Sequence, residues 1–257
     1  MDYDSFAKEC IVKLTALQKQ LSDEFDLNGY ANWFYNQATG LLTFSTGETE
    51  LNFKFFQVGS FSHKSGTWMW SWHNENTLRN AKETTMQVKD FGTEHNFAKL
   101  TEGRFSSDEF EAWEFTAIAA KLTNAIGAYR PVNEEGLKVF LVMTEFVDNE
   151  TAKSIKDKYI ECGDHEYRRV AFVCQHLNFT TRVGFEESFE TYEGMELSDE
   201  DDFQAWCNEC EVVRVAEDGW NDNAMEFAKI RVVCEGCYFK MKALNLNRPI
   251  RIHRWIL

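Results

Sequence analysis

The groups in this chain best suited to chemistry at a fixed point are its thiols. Two Cys-x-x-Cys pairs, Cys207 with Cys210 in AWCNEC and Cys234 with Cys237 in VCEGCY, are separated by 23 residues, and Cys174 with His176 lies upstream in VCQHL. Zinc prefers four thiolate or imidazole ligands in a tetrahedron, and two such knuckles supply four sulfurs. The spacing therefore predicts one structural zinc ion held by Cys207, Cys210, Cys234 and Cys237. Cys174 and His176 share a face if they lie on a strand, so they can chelate together. Six candidates exceed four places, and three arrangements stay open: one structural pair, a mixed set such as His176 with three cysteines, or a second ion.

A redox reading competes, because Trp-Cys-x-x-Cys also opens thioredoxin-like sites. That chemistry needs the first thiolate stabilised at a helix N-terminus. Here an acidic run precedes Cys207, with Glu209 inside the pair and Glu211 beside it, which opposes ionisation. A second Cys-x-x-Cys is also left without a use. Catalysis by the metal is disfavoured on similar grounds, since four thiolates close the shell that a catalytic ion keeps open for water. The H-E-x-x-H motif fails, because His165 and Glu166 are followed by Tyr-Arg-Arg. No P-loop, G-x-S-x-G elbow or dinucleotide fingerprint appears.

These ligands need elements to position them. EVVRV and AKIRVV flank the turn residues DGWNDN and are expected as paired strands, with FKMKALN as a helix after Cys237. Knuckle, hairpin and helix in that order outline a treble-clef or zinc-ribbon module. Ahead of it, Phe6, Ile11, Leu14, Leu17, Leu21 and Phe25 recur at helical steps over residues 5–25. NWFYNQATGLLTFST and LNFKFF read as strands. TWMWSWH alternates, throwing Trp68, Trp70 and Trp72 onto one face as sheet core or as a pocket wall. Helices follow over 77–91, stopping at Gly92, and after Ser106, whose capping box Glu109 completes. A strand over 137–146 returns to the sheet. The expected class is α+β, an antiparallel sheet packed with helices, followed by the small zinc module.

At 257 residues and 44% hydrophobic the chain can bury cores for two domains, expected at 1–150 and 151–257, with the boundary in DNETAKSIKDK. A formal charge of −15 opposes binding to phosphate backbones, so nucleic acid is an unexpected partner. No run of eighteen apolar residues occurs and the N-terminus lacks the order of a secretory leader. The expected location is the cytoplasm, with no membrane partner and reduced thiols. Residues 185–202 carry nine carboxylates and no base. Either they form a solvated loop, or Glu186, Glu187, Glu190, Glu193, Asp199, Glu200, Asp201 and Asp202 attract a basic protein.

NWFYNQATGLLTFS, VGSFS, GTWMWSWHN, AWEFTAIAAKL and GAYR together resemble an uncharacterised bacterial family, a domain of unknown function, over residues 28–146. That resemblance implies a fold and a bacterial origin but no catalytic residues. The run V-C-x-H-L, A-W-C-x-x-C-E and V-C-x-x-C-Y is similar to a second small bacterial module, which implies metal binding at most. The function expected from all of this is that of a non-enzymatic bacterial binding protein stabilised by zinc, in the manner of the toxin-neutralising immunity proteins. The alternative is an enzyme with a pocket in the first domain, walled by Trp70 and Trp72 with His73 and Glu75 at its rim.

Overall fold

In the computed structural model, residues 1–131, 136–198 and 200–246 are described, and the chain divides into two units, Met1–Lys153 and Ser154–Leu257. The first opens with α1 (Tyr3–Phe25), capped by the Asp2 carboxylate, which accepts the Ser5 N–H, and buries Phe6, Ala7, Cys10, Leu14 and Leu21. Four strands follow: β1 (Asn32–Asn36), β2 (Leu41–Ser45), β3 (Glu50–Ser62) and β4 (Thr67–Trp70). Next come α2 (Arg79–His95), α3 (Ala98–Thr101), β5 (Arg104–Ser106) and α4 (Glu109–Leu122). The unit ends with β6 (Gly127–Tyr129), β7 (Leu137–Val147) and α5 (Asn149–Asp157), the last of which runs across the boundary.

Its sheet runs β1-β2-β3-β4-β5, with β7 also on β3 and β6 on β7, and every pairing is antiparallel. The long β3 bends through two register shifts against β7, the local kinks by which a strand serves several neighbours. Gly59 is required there, because a Cβ would stand 2.4 Å from the Trp68 ring. Trp68 and Trp70 are fully buried, edge to face at 5.4 Å, against Phe115 of α4. They are core. Trp72 lies past the end of β4, half-buried, with the Lys89 ammonium 4.5 Å above its ring.

Two helix boundaries differ from expectation for local reasons. α2 runs through Gly92 to His95 and turns at Asn96, whose φ of 56° is left-handed. Gly92 is a point of close approach, since its Cβ would meet the Leu100 Cβ at 2.5 Å. α4 is capped by Asp108, which accepts the Glu111 N–H, in place of Ser106 with Glu109.

The second unit is built around β9 (Glu166–Val173). β8 (Tyr159–Cys162) pairs antiparallel with its first half, and its second half pairs with β11 (Phe203–Trp206) in parallel and β12 (Arg231–Cys234) antiparallel. The short β10 (Glu186–Glu187) borders β11. Between β11 and β12 lie α6 (Asn208–Ala216) and α7 (Asp222–Ala228), and α8 (Glu235–Leu246) follows β12. The hairpin expected from EVVRV and AKIRVV is therefore absent: EVVRV is helical, and only Arg231–Cys234 is a strand, paired with β9. Caps override the β-branched valines. The Cys207 sulfur accepts the Cys210 N–H at the start of α6, and Asn221 accepts the Ala224 N–H at the start of α7, satisfying donors that a helix start leaves free.

Candidate metal centres

Both Cys-x-x-Cys pairs sit where a strand of the second unit becomes a helix. At one, β12 ends on Cys234 and α8 places Cys237 in its first turn, with the Cys237 N–H donating to Cys234 Sγ at 3.3 Å. The facing pair comes from the β8–β9 turn, where Cys162 ends β8 and the His165 N–H bonds back to the Cys162 carbonyl. His165 Nδ1 lies 3.4 Å from Cys234 Sγ, 3.5 Å from Cys237 Sγ and 3.7 Å from Cys162 Sγ, and Cys162 Sγ is 3.8 Å from Cys237 Sγ.

The second cluster repeats the plan. β11 leads to Cys207, α6 places Cys210 in its first turn, and the Cys210 N–H donates to Cys207 Sγ at 3.4 Å. The facing pair, Cys174 and His176, follows the end of β9. His176 Nδ1 stands 3.3 Å from Cys210 Sγ and 3.7 Å from Cys207 Sγ, while Cys174 Sγ accepts the Cys207 N–H at 3.3 Å. In each cluster the four donor atoms lie within 4.8 Å of one another.

These separations test what the clusters fit. Bonds of ~2.3 Å to sulfur and ~2.0–2.1 Å to nitrogen in a regular tetrahedron put two sulfurs ~3.8 Å apart and a sulfur and a nitrogen ~3.5 Å apart. The Cys162–Cys237 separation of 3.8 Å and the sulfur–nitrogen separations of 3.3–3.7 Å agree with those figures. A disulfide would need ~2.05 Å. Three thiols and one imidazole within 4.8 Å of one another are a donor set that could fill all four places around a zinc-type ion.

Burial and crowding act on the thiols together. Burial pushes the thiols of Cys207, Cys210 and Cys234 up and that of Cys237 to about 12, with repulsion between sulfurs adding to it in each cluster. Cys162 goes the other way, to about 6: burial opposes its ionisation, but N–H groups of Asp164 and His165 and the neighbouring side chains outweigh it. A divalent cation would supply the charge that lets all three thiolates of a cluster coexist.

The single ion expected from the four knuckle cysteines is thus not what the fold presents. Each knuckle is completed by its own Cys and His, giving Cys162, His165, Cys234 and Cys237 in one cluster and Cys174, His176, Cys207 and Cys210 in the other. Of the open arrangements for Cys174 and His176, the geometry is that of a second site. Cys162 and His165 were missed by sequence reasoning, although the C-x-x-H spacing of CGDH mirrors a knuckle. The seventh cysteine, Cys10, is a buried core residue of α1 whose thiol burial pushes to about 11.

The first unit matches the model of a family of unknown function, DUF6882, over residues 4–146. The chain belongs to this family. The matched stretch begins in α1, ahead of the residues that carried the resemblance, and ends within β7, so both clusters lie outside the DUF6882 domain. No curated protein and no solved structure matches the chain. Among the described residues no helix is long and apolar enough to cross a membrane.

Within the DUF6882 domain the suggested pocket at the tryptophan hairpin does not form around Trp70, which is fully buried with its indole N–H donated to the Lys99 carbonyl. His73 packs beneath Gly103, where a Cβ would meet its ring at 2.2 Å.

Outside that domain the acidic run is divided. Glu186, Glu190, Glu193, Glu200 and Asp201 are exposed and Asp202 is half-buried. Asp199 lies outside the described residues. Glu187 is not a surface carboxylate: both its oxygens take the Lys242 ammonium at 2.7 Å, and Tyr238 and Thr191 donate to it. Burial opposes its ionisation, but these donors hold its carboxyl below the usual range.

Proposed function

We propose that this protein is a non-enzymatic binding protein whose second unit is organised by two structural zinc ions, one in each Cys3His cluster, and whose exposed carboxylates dock a basic protein. The observation that carries this reading is the donor count: four protein atoms converge at each cluster, leaving no place on the ion for a reacting water. A zinc ion bound in this way supplies cross-linking, on the order of 10–16 kcal/mol at neutral pH. The residues do the positioning. Cys234 and Cys237 fix the junction of β12 with α8, Cys207 and Cys210 that of β11 with α6, and the histidine-bearing turns tie both junctions to β9.

Glu186 lies on β10, and Glu190, Glu193, Glu200 and Asp201 lie in the segment between β10 and β11, adjoining the strand that leads into Cys207. Clustered exposed charge of one sign speeds encounter with an oppositely charged partner and discriminates among partners. A basic bacterial toxin, neutralised inside the cell that makes it, is the partner this reading favours. The test is co-purification from the native host, repeated at rising salt and with Glu186, Glu190, Glu193 and Glu200 changed to Gln. Recovery of a basic protein that falls with salt and with the substitutions is expected; a partner retained through both would sink the acidic docking surface.

A further inference from the structure

The DUF6882 domain holds a cavity of about 460 Å³ lined by Gln18, Leu21, Ser22, Leu27, Asn28, Tyr30, Trp33, Phe44 and Tyr129. Its size falls within the ~300–1,000 Å³ of small-molecule sites. Three arrangements make it more than a gap between elements.

The first is an aromatic wall. Trp33 and Phe44 are directly opposed across β1 and β2, which places them on one sheet face, and Tyr129 meets both rings edge to face at 5.6 and 5.1 Å. The second is a fixed floor. Gln18 of α1 donates its amide N–H to the Ala128 carbonyl at 2.8 Å and accepts the Ala128 N–H at 2.9 Å, so one side chain pairs with β6 as a neighbouring strand would. Gly127 permits this, because a Cβ there would stand 2.8 Å from Gln18 Oε1. The wall that carries Tyr129 is therefore held in place before any ligand arrives, which lowers the ordering cost of binding.

The third is charge. In a chain of which 27% is charged, none of the lining residues is. A carboxylate, phosphate or ammonium entering this solvent-open cleft would lose part of its hydration with no opposite charge among the lining residues to meet it, a net cost. Flat faces of Trp and Tyr reward a ring laid against them, and Ser22, Tyr30 and Tyr129 bring hydroxyls to its edge. With the Gln18 amide committed to β6, these hydroxyls join the Asn28 amide and the Trp33 indole N–H as lining groups that can orient a ligand.

We infer that this cavity is a binding site for a small, uncharged, ring-bearing molecule with hydrogen-bonding groups at its edge. The inference is independent of the metal clusters and of the acidic segment.

The test titrates the full-length, metal-loaded protein with indole and phenol, and separately with the charged analogues benzoate and benzylammonium, following the Trp33 indole N–H resonance by ¹⁵N NMR. Saturable movement of that resonance by indole or phenol is expected, with at least tenfold weaker response to both charged analogues. Trp33→Leu, in which saturation transfer to the ligand's own proton signals replaces the lost indole resonance as the readout, should weaken binding at least tenfold. Because that change risks the fold, Ser22→Leu, which fills the cavity from the helix side while sparing the aromatic wall, should abolish binding with the Trp33 resonance still dispersed. No saturable shift up to millimolar ligand, equal response to the charged analogues, or undiminished binding in a folded Ser22→Leu variant would each overturn the assignment.

Discussion

His165 and Cys234 are 69 residues apart in the chain, yet His165 Nδ1 lies 3.4 Å from Cys234 Sγ. This contact separates the two knuckles, because it gives Cys234 and Cys237 a partner pair that Cys207 and Cys210 do not share. Zinc-loaded protein is therefore expected to hold two ions per chain by native mass spectrometry. Cys162→Ser or His165→Ala should leave one ion firmly bound, and so should Cys174→Ser. A single ion lost whichever knuckle is altered would restore the four-cysteine arrangement.

Gly236 offers a way to disturb one cluster without touching a ligand. It lies between Cys234 and Cys237, and a Cβ on it would stand 2.6 Å from His165 Cγ, a distance at which the ring must move. Groups that orient a metal ligand typically change metal affinity 10–100-fold when altered. Gly236→Ala should weaken one of the two ions by about that factor in a chelator competition and leave the other unchanged.

The sequence conveyed the donors better than their grouping. Knuckle spacing marks a metal ligand locally, since both sulfurs lie within one turn of chain, but which pair faces which knuckle depends on β9, whose two ends carry His165 and Cys174 to different strand-to-helix junctions. Pairing across a sheet leaves no trace in spacing. The valines of EVVRV read as strand because their β-propensity is visible, whereas the opposing signal, a cysteine sulfur capping α6, is not ordinarily a helix-start residue. Trp68 and Trp70 were legible as one face of a strand; that α4 would cover that face with Phe115 needed the assembled sheet. Glu187 sat unmarked among its acidic neighbours, because nothing local distinguishes the carboxylate that turns inward to Lys242.

That buried pair gives the second unit an acid-sensitive element. The Lys242 and Glu187 side chains are 8% and 17% exposed. Glu187 is lowered in the folded state, so its stabilisation is fully present above the unfolded carboxyl value of about 4.3 and is lost as pH falls through the lower folded value. The stability difference between the native protein and Glu187→Gln should accordingly be constant near neutrality and shrink below about pH 4. Lys242→Met strands a buried carboxylate and should cost about 3–5 kcal/mol, whereas Lys242→Met combined with Glu187→Leu should recover most of it. Urea unfolding monitored in the second unit distinguishes these cases, and a double variant no better than the single one would show that the charges are not coupled.

In the first unit the corresponding test falls on Gln18. Ala128 is 1% exposed, and both its backbone polar groups are satisfied by the Gln18 amide. Gln18→Leu keeps the volume and removes both partners, leaving a buried N–H and a buried carbonyl unpaired at about 1–3 kcal/mol each. Gly127→Ala reaches the same contact from the other side by driving a methyl against Gln18 Oε1 and Leu21 Cδ2. Each substitution should lower the unfolding midpoint of the first unit and raise amide exchange at Ala128, while both metal clusters keep their ions. If Gln18→Leu left exchange at Ala128 slow, β6 would be held by β7 alone and the wall carrying Tyr129 would owe nothing to α1.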